Sequence, residues 1–519
     1  MMEHLIDSLL EKLFLSRVNL IYSGGGHSYI LLPNTEKVRK IVDDFEQEVN
    51  EWFLEMFETQ LYIAGGGAIC SASDFWNEPE GSYREIFQNV SKEISFKKLH
   101  RYSPKQIIKL NHSGMPDGER ECSICHRHDH LKDGETECEI CWTLKQMSGN
   151  ILDGDFFTVT SKKEKVCLPL PGNCYLVTDT EDSLLKRMKE DNYYIRSYSK
   201  NKPYSGYYVY TKLWVGDYVE GKTFEELGQR ATGIERIAVM RADVDNLGQA
   251  FVRGFENEKN GSKYVTLSRT ATFSRKLSMF FKYHINSLLE EGGYSILEEE
   301  AQMEREDDRR NALIVYSGGD DIFIVGAWDD IIGFAVDLHD NLMEYSQDTL
   351  KISAGIGIYP SKYPISIMAR ETGLLEEAAK SMEGKNAVAL FNEKYTFSWE
   401  EFIENVVEKK LYFIQKYFKN IDDKGKNFLY NLLELIRRRK EDKINIARFA
   451  YFLGRMEPKA QRGDTKEKIE EKRNQHRAFS QKMYEWIRVE KDAKELEMAI
   501  YLYVYTKREK EEENNGVNK

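Results

Sequence analysis

The stretch Ser317-Gly318-Gly319-Asp320-Asp321 lies between two short apolar runs, 312–316 and 322–325, and constrains the fold more than any other part of the chain. Apolar run, glycine pair and apolar run read as strand, tight turn and strand, a β-hairpin. Gly318 and Gly319 are expected to give the turn positive φ and to let a phosphate approach the backbone. Two adjacent carboxylates at a hairpin tip are costly unless a cation compensates them. Hard oxygen ligands of this kind suit Mg2+ or Mn2+ carrying a triphosphate.

A weaker copy of the same unit stands near the start. Runs 18–22 and 29–32 flank Ser23-Gly24-Gly25-Gly26-His27, where no acidic pair is present. Each hairpin is followed by an amphipathic helix pattern (35–57; 329–345) and a glycine-containing strand (61–70; 352–359). The second copy reads in full: strand 234–240, helices within 264–289, the hairpin, helix, strand, helix 364–382 and strand 387–391. That β-α-β-β-α-β order with a final addition is the ferredoxin-like palm arrangement. The first copy lacks an opening strand in this sequence. Between the copies, 102–228 mixes strand and loop signals. Beyond 395 apolar residues recur at helical spacing through 402–418, 428–436 and 484–505. The expectation is an α+β chain with four parts. They are a first palm at 1–101, a zinc-containing domain at 102–228, a second palm at 229–395 and an all-α domain at 396–519. The Lys/Glu/Asn-rich tail from Lys507 reads as disordered.

At 519 residues the chain exceeds one core, and typical domain sizes give about three to five units. Hydrophobic residues at 41% with 31% charged are ordinary for a globular protein. No apolar run reaches the roughly 20 residues of a membrane span, and 1–14 reads as an amphipathic helix rather than a signal peptide. The expected location is the cytoplasm. A net charge of −12 excludes indiscriminate coating of nucleic acid. The basic run Arg437, Arg438, Arg439 and Lys440 reads first as a solvated helix face, with RNA contact the alternative.

Asp243 and Asp245 follow strand 234–240 in Arg241-Ala242-Asp243-Val244-Asp245-Asn246. In palm order that strand neighbours the hairpin, so carboxylates from both converge. Two metals so held would activate a ribose 3′-hydroxyl and steady a departing pyrophosphate. Lys380 and Lys385 end the last helix of this unit, where cations either neutralise triphosphate oxygens or compensate the helix dipole.

The pairs Cys122/Cys125 and Cys138/Cys141 form a CxxC…CxxC array that suits tetrahedral Zn2+. A closed four-thiolate site has no open position for substrate, so its role is structural. His126, His128 and His130 are nearby substitute ligands, read as surface residues, and His128-Asp129 as a coincidental dipeptide. Cys70, Cys167 and Cys174 show no metal spacing and read as structural thiols.

Taken together, Tyr22-Ser23-Gly24-Gly25-Gly26-His27, the cysteine array, Asp243-Val244-Asp245-Asn246-Leu247-Gly248 and Tyr316-Ser317-Gly318-Gly319-Asp320-Asp321 resemble the large subunit of type III-A (Csm-type) CRISPR effector complexes, in the family's order over nearly the whole chain. The resemblance implies that, when guide RNA pairs with target RNA, ATP is condensed into cyclic oligoadenylate messengers. It implies a metal-binding catalytic pair at Asp320 and Asp321, with Asp243 as a further ligand and Asp245 close by. Ser317, Gly318, Gly319, Asn246, Lys380 and Lys385 would serve the nucleotide, the two lysines with one extra residue in their spacing. Ser23, Gly24, Gly25 and Gly26 would bind a second ATP without supplying metal ligands, the two nucleotides facing one another. Partners implied are the other complex subunits, guide RNA and target RNA, and no membrane. Family members usually begin with an HD nuclease domain that this sequence lacks, so DNase activity is not expected of it. Truncation or a separate polypeptide would account for that domain and for the missing palm strand. Two other functions compete. One is a stand-alone GGDEF-like cyclase making a cyclic dinucleotide from GTP, the other a scaffold with a dormant site.

Overall fold

The computed structural model describes the chain apart from residues 113–119, 128–130, 133, 191, 204–208, 257–258, 260, 304–306, 420–426, 461–464 and 509–519. It divides into two compact units, Met1–Val215 with Leu247–Tyr283, and Gly216–Asn246 with His284–Lys519. His128, Asp129 and His130, and most of the tail beyond Lys507, fall outside the described residues.

In the first unit, β1 (Leu20–Gly24) and β2 (His27–Ile30) form a hairpin in which Gly24 pairs with His27. The two-residue loop Gly25-Gly26 has φ of 54° and 73°, the left-handed conformation that such loops require at both positions. The helix Glu36–Phe57 begins at Thr35, whose hydroxyl accepts from Val38 N–H, and its apolar face packs Phe45, Val49 and Phe53 against Leu5. Residues 61–70, expected as a strand, join no ladder. In the second palm the matching strand pairs with the opening strand, and among the described residues of the first copy nothing stands in that place. Side chains serve the segment's backbone instead. Asn50 pairs with both N–H and C=O of Ile63, and Glu46 accepts from Gly65 N–H.

A five-stranded sheet completes this unit: β3 (Phe156–Thr160), β4 (Leu168–Leu170), β5 (Cys174–Asp179), β6 (Tyr194–Lys200) and β7 (Thr211–Leu213), in the order β4-β5-β3-β6-β7. The N-terminal helix Met2–Lys12 docks on it through buried polar groups. Asp7 accepts from Arg17 and from the Tyr198 hydroxyl at 2.7 Å, and the His4 ring bonds Pro171 O at 3.1 Å. The helices Leu247–Arg253 and Leu267–Met279, consecutive in sequence with the second palm, belong by packing to this unit. Phe251 meets Tyr22 edge-on, and Thr270 bonds the Tyr83 hydroxyl at 2.8 Å.

The second unit contains a six-stranded sheet ordered β13-β12-β11-β8-β10-β9. Its strands are β8 (Ile237–Val244), β9 (Ala312–Ser317), β10 (Asp321–Ala327), β11 (Ile352–Tyr359), β12 (Ala387–Leu390) and β13 (Thr396–Ser398). The strands β11, β8, β10 and β9 follow the antiparallel ferredoxin-like order, and β12 adds in parallel beside β11. Strand β8 begins and ends later than the sequence predicts. Asp243 therefore sits inside the ladder rather than in a loop after it. Ile237, Ala238, Val239 and Met240 are all buried, so helices cover both sheet faces. Leu227 and Met368 pack with Ile237, Val239 and Val325 on one face, which the helix Ile365–Lys380 covers. The helix Trp328–Ser346, buried at Ile331, Ile332, Phe334 and Ala335, covers the other.

From Glu401 onward every regular element among the described residues is a helix, as the periodicity predicts. Lys410, fully buried, bonds Glu495 at 2.5 Å and Asp492 at 2.9 Å. No helix among the described residues is long and apolar enough to cross a membrane.

Candidate functional site

The antiparallel register of β8 and β10 places Asp243 directly opposite Asp321, and Asp243 also faces Ser353 on β11. Like charges directly opposite one another destabilise a sheet, so this pair demands a cation. Lys380 supplies one: its Nζ lies 2.6 Å from Asp243 Oδ2 and 2.6 Å from Glu376 Oε1. Burial pushes the Asp243 carboxyl above its usual range; Lys380 opposes the shift, and Glu376 and Asp321 reinforce it. Burial alone would lower the Lys380 ammonium, but Asp243 and Glu376 outweigh it and hold the group charged. Glu376 also takes Arg241 Nε at 3.1 Å.

Asp245 is almost fully buried. Its Oδ2 accepts from Ser353 Oγ and from Asn386 N–H, both at 2.9 Å. Lys385 Nζ donates to Asn246 Oδ1 at 2.9 Å. Asn246, Lys385 and Asn386 all have φ between 51° and 55°, so the end of β8 and the loop after the Ile365–Lys380 helix are locked together by special backbone conformations.

At the hairpin tip the sequence expectation needs correcting. Gly318 and Gly319 are not in the left-handed region. The connection is longer than a two-residue loop: Ser317 pairs with Ile322, and Gly318 N–H bonds Asp321 O at 2.8 Å. Glycine at 318 lets the Asp321 carboxylate and the Tyr316 hydroxyl close over it, since a Cβ there would lie 2.3 Å from Asp321 Oδ1 and 2.4 Å from the Tyr316 hydroxyl and would push those side-chain ends away. Tyr316 hydrogen-bonds Asp321; burial, then the charges of Asp321 and Asp320, push its hydroxyl up to about 12, so it stays a donor. Beside these groups lies a cavity of about 360 Å³ whose lining includes Arg241, Tyr316, Asp321, Phe323, Ile365 and Ala369.

The donor set fits a hard divalent cation. Asp321 Oδ1 and Asp245 Oδ1 are buried without a hydrogen-bond partner, a costly condition that a metal relieves. At an effective dielectric near 20, unit charges about 4 Å apart interact by roughly 4 kcal/mol. A dication shared by two carboxylates therefore outweighs their mutual repulsion. The four carboxylates do not close around one point as they stand. Among the described residues, the cysteines are the only cluster of three or more His, Cys, Asp or Glu with ligand atoms within 4.8 Å.

Sequence reasoning missed Glu376, Arg241, Tyr316 and Ser353. Glu376 lies four residues before Lys380 on one helix, a spacing that reads as an ion pair. Arg241 lies two before Asp243 on the same strand face. In the first hairpin, Ser23 Oγ donates to Glu3 Oε1 at 2.8 Å and the His27 ring bonds Gly25 O at 2.9 Å. Gly24, Gly25 and Gly26 present no acidic side chain.

Cys122, Cys125, Cys138 and Cys141 bring their sulfurs within 4.8 Å of one another. The Cys122 thiol is lowered to about 6: burial opposes ionisation, but N–H groups of Cys125, Cys138 and Ile124 overcome it. Cys138 N–H donates to Cys122 Sγ at 3.2 Å. Cys141 N–H likewise meets Cys138 Sγ at 3.5 Å, whereas burial pushes the Cys141 thiol up; ionised together by a cation, the four sulfurs would make the tetrahedral donor set that suits Zn2+. His126 does not join the cluster; its exposed ring pairs with Glu121 at 2.6 Å. Cys70, Cys167 and Cys174 are free thiols raised by burial. The basic run is engaged within its own domain. Arg437 meets Glu497, Arg438 Glu434, Lys440 Glu490, and Arg439 the Glu490 carbonyl.

The family model for the second palm domain of Cas10/Cmr2 matches residues 236–389, that for Csm1 subunit domain B residues 1–113, and that for the second helical domain of the Cmr2 subunit residues 415–509. The "CRISPR system single-strand-specific deoxyribonuclease Cas10/Csm1 (subtype III-A)" of Mycobacterium tuberculosis is 43% identical, covering 98% of this chain and 63% of that protein. The protein of the same name from Streptococcus thermophilus is 40% identical, covering 97% of this chain and 63% of that protein. The crystal structure of a Csm1-Csm4 cassette in complex with cA4 shares the fold, with a TM-score of 0.68 and 22% identity over 97% of this chain and 65% of that one. The chain thus spans about 63% of the length of these curated relatives. It belongs to the Cas10/Csm1 family.

Proposed function

We propose that this chain condenses ATP into cyclic oligoadenylates, as the large subunit of a type III-A CRISPR complex activated by target RNA. The observation that carries this reading is the Asp243–Asp321 cross-strand pair, with Lys380 on it and buried, unpartnered oxygens on Asp321 and Asp245. Support comes also from solved Csm1-Csm4 cassettes of the same fold, described in complex with AMPPNP, pppApA and cA4.

In this reading Asp320, Asp321 and Asp243 hold Mg2+ or Mn2+, with Asp245 beside them. The metal supplies Lewis-acid stabilisation of the triphosphate and lowers the pKa of the attacking ribose hydroxyl. Lys380, 2.6 Å from both Asp243 Oδ2 and Glu376 Oε1, would meet the triphosphate, with Glu376 keeping it close. Lys385 and Asn246 act on the same side. The apolar wall of Phe323, Ile365 and Ala369 offers a flat ring its surface. Ser23, Gly24, Gly25 and Gly26 serve a second ATP. The partners are the other complex subunits, including a Csm4-type neighbour, with guide and target RNA. The four-cysteine site holds structural Zn2+, and the setting is the cytoplasm.

The nuclease activity in the relatives' name is not assigned to these residues. Of two His-Asp dipeptides in the sequence, His128-Asp129 lies outside the described residues. In the other, His339 is buried, stacked on Trp399 and bonded to Asp340 at 2.8 Å.

The test is labelled ATP with Mn2+ or Mg2+, for the chain alone and reconstituted with partner subunits, guide and target RNA. Products are resolved by chromatography and mass spectrometry beside Asp320→Ala/Asp321→Ala. Oligoadenylates that vanish in the double variant are expected. Turnover of GTP without ATP would favour a cyclic dinucleotide cyclase, and an assembled, RNA-bound complex inert toward both would make the chain a scaffold.

A further inference from the structure

Arg127 is buried beside the cysteine cluster, 7% exposed. Its Nη2 donates to Cys138 Sγ at 3.4 Å, and its Nη1 donates to the carbonyl of Met56 in the last turn of the Glu36–Phe57 helix. The guanidinium stands 5.8 Å over the Phe57 ring, and its own backbone carbonyl accepts from Cys122 N–H at 2.8 Å. Nε is buried with no partner. Among the described residues no carboxylate pairs with this arginine, and the side-chain acceptor that its guanidinium meets is Cys138 Sγ.

A buried guanidinium needs an anion. Four thiols in their neutral form provide none, whereas four thiolates around a divalent cation carry a net charge of −2. We infer that Arg127 is the counter-charge of a zinc-loaded tetrathiolate centre and latches that centre to the C-terminal turn of the Glu36–Phe57 helix. Metal occupancy is thereby coupled to the first palm rather than confined to its own loop. The same helix carries Asn50 and Glu46, which hold Ile63 and Gly65, and Glu46 also pairs with Lys97 at 2.7 Å. Order at the cysteine centre therefore reaches the 61–67 segment. Partners of this kind around a metal site typically change metal affinity by about 10–100-fold when lost. Arg127 is a positioning residue, and the inference is independent of ATP chemistry.

The experiment uses the zinc-loaded full chain. Zinc release is titrated with a chromogenic chelator, and hydrogen exchange is followed by mass spectrometry over residues 52–67, with and without zinc. Variants are Arg127→Met, Arg127→Lys and, as control, Lys145→Met, which removes an exposed ammonium that pairs with the largely buried Glu137. Arg127→Met is expected to bind zinc about 10–100-fold more weakly, Arg127→Lys to recover part of that loss, and Lys145→Met to match wild type. In wild type, residues 52–67 lose protection when zinc is removed; in Arg127→Met they are unprotected while zinc is still bound. If Arg127→Met does not fold, Arg127→Lys and the wild-type exchange data carry the test. Unchanged zinc affinity in the variants overturns the inference. So does protection over 52–67 that ignores zinc, or a wild-type chain that retains no zinc.

Discussion

Gly355 is the position where a single methyl group tests how the candidate site is held. It lies in β11 opposite Arg241, against the Ile365–Lys380 helix. A Cβ there would stand 2.4 Å from Glu376 N, 2.6 Å from Thr372 O and 2.8 Å from Leu375 C, where ordinary contact begins at 3.4 Å. All three are backbone atoms, so no side chain can swing aside, and the helix must retreat by about 1 Å. Overpacking of this kind costs about 1–3 kcal/mol. A gap of that width also forfeits roughly a quarter to a half of each neighbouring dispersion contact, which puts Gly355→Ala near the upper end, about 3 kcal/mol. With an m-value of about 3 kcal/mol/M the urea midpoint falls by roughly 1 M. Glu376 and Lys380 ride on the displaced helix. The 2.6 Å contact of Lys380 with Asp243 and the 3.1 Å contact of Glu376 with Arg241 open, and a misplacement of about 1 Å is worth up to about 10²-fold in turnover. The assay is urea unfolding followed by tryptophan fluorescence, with ATP turnover measured in parallel. Gly454→Ala is the control: it lies in the helix Ile444–Arg455 with nothing within 4 Å of its Cβ, so it should gain up to about 1 kcal/mol. If Gly355→Ala unfolds at the wild-type midpoint, or is stabilised as Gly454→Ala is, the close approach of helix and strand does not hold the site.

Two further outcomes follow from buried charges. Lys410→Met strands the buried carboxylate of Glu495 and should cost about 3–5 kcal/mol, with Lys410→Met/Glu495→Leu recovering most of it; equal loss in single and double variants would refute the pairing. Burial, partly offset by the Pro171 carbonyl, lowers His4 from 6.5 to about 4, so the unfolded chain binds the extra proton between those values. Stability from His4 is full above about pH 6.5 and declines as pH falls toward 4, by about 3 kcal/mol in all. Chemical denaturation of wild type and His4→Gln across that range measures it, and parallel pH profiles would count against the burial argument.

Features written within about ten residues were legible in the chain alone. The apolar runs around Gly318-Gly319-Asp320-Asp321 specify a hairpin, and 3–4 spacing specifies the C-terminal helices. Thr35 before an amphipathic run marks a helix start, and paired CxxC motifs specify a thiolate cluster. Each is a local matter of period, turn chemistry or ligand spacing. Folding in three dimensions had to add the strand register that sets Asp243 against Asp321 and the shared grip of Glu376 on Lys380 and Arg241. It also made the five-stranded sheet a seat for Asp7, and left 61–70 outside any ladder. Residues 247–283 joined the first hairpin in the same way, through Tyr22, Phe251, Tyr83 and Thr270. The reason is sequence distance: Lys385 meets Asn246 across 139 residues, and Asp7 meets Tyr198 across 191. Such pairs exist only once long-range packing has chosen which faces meet, and no local pattern carries that choice.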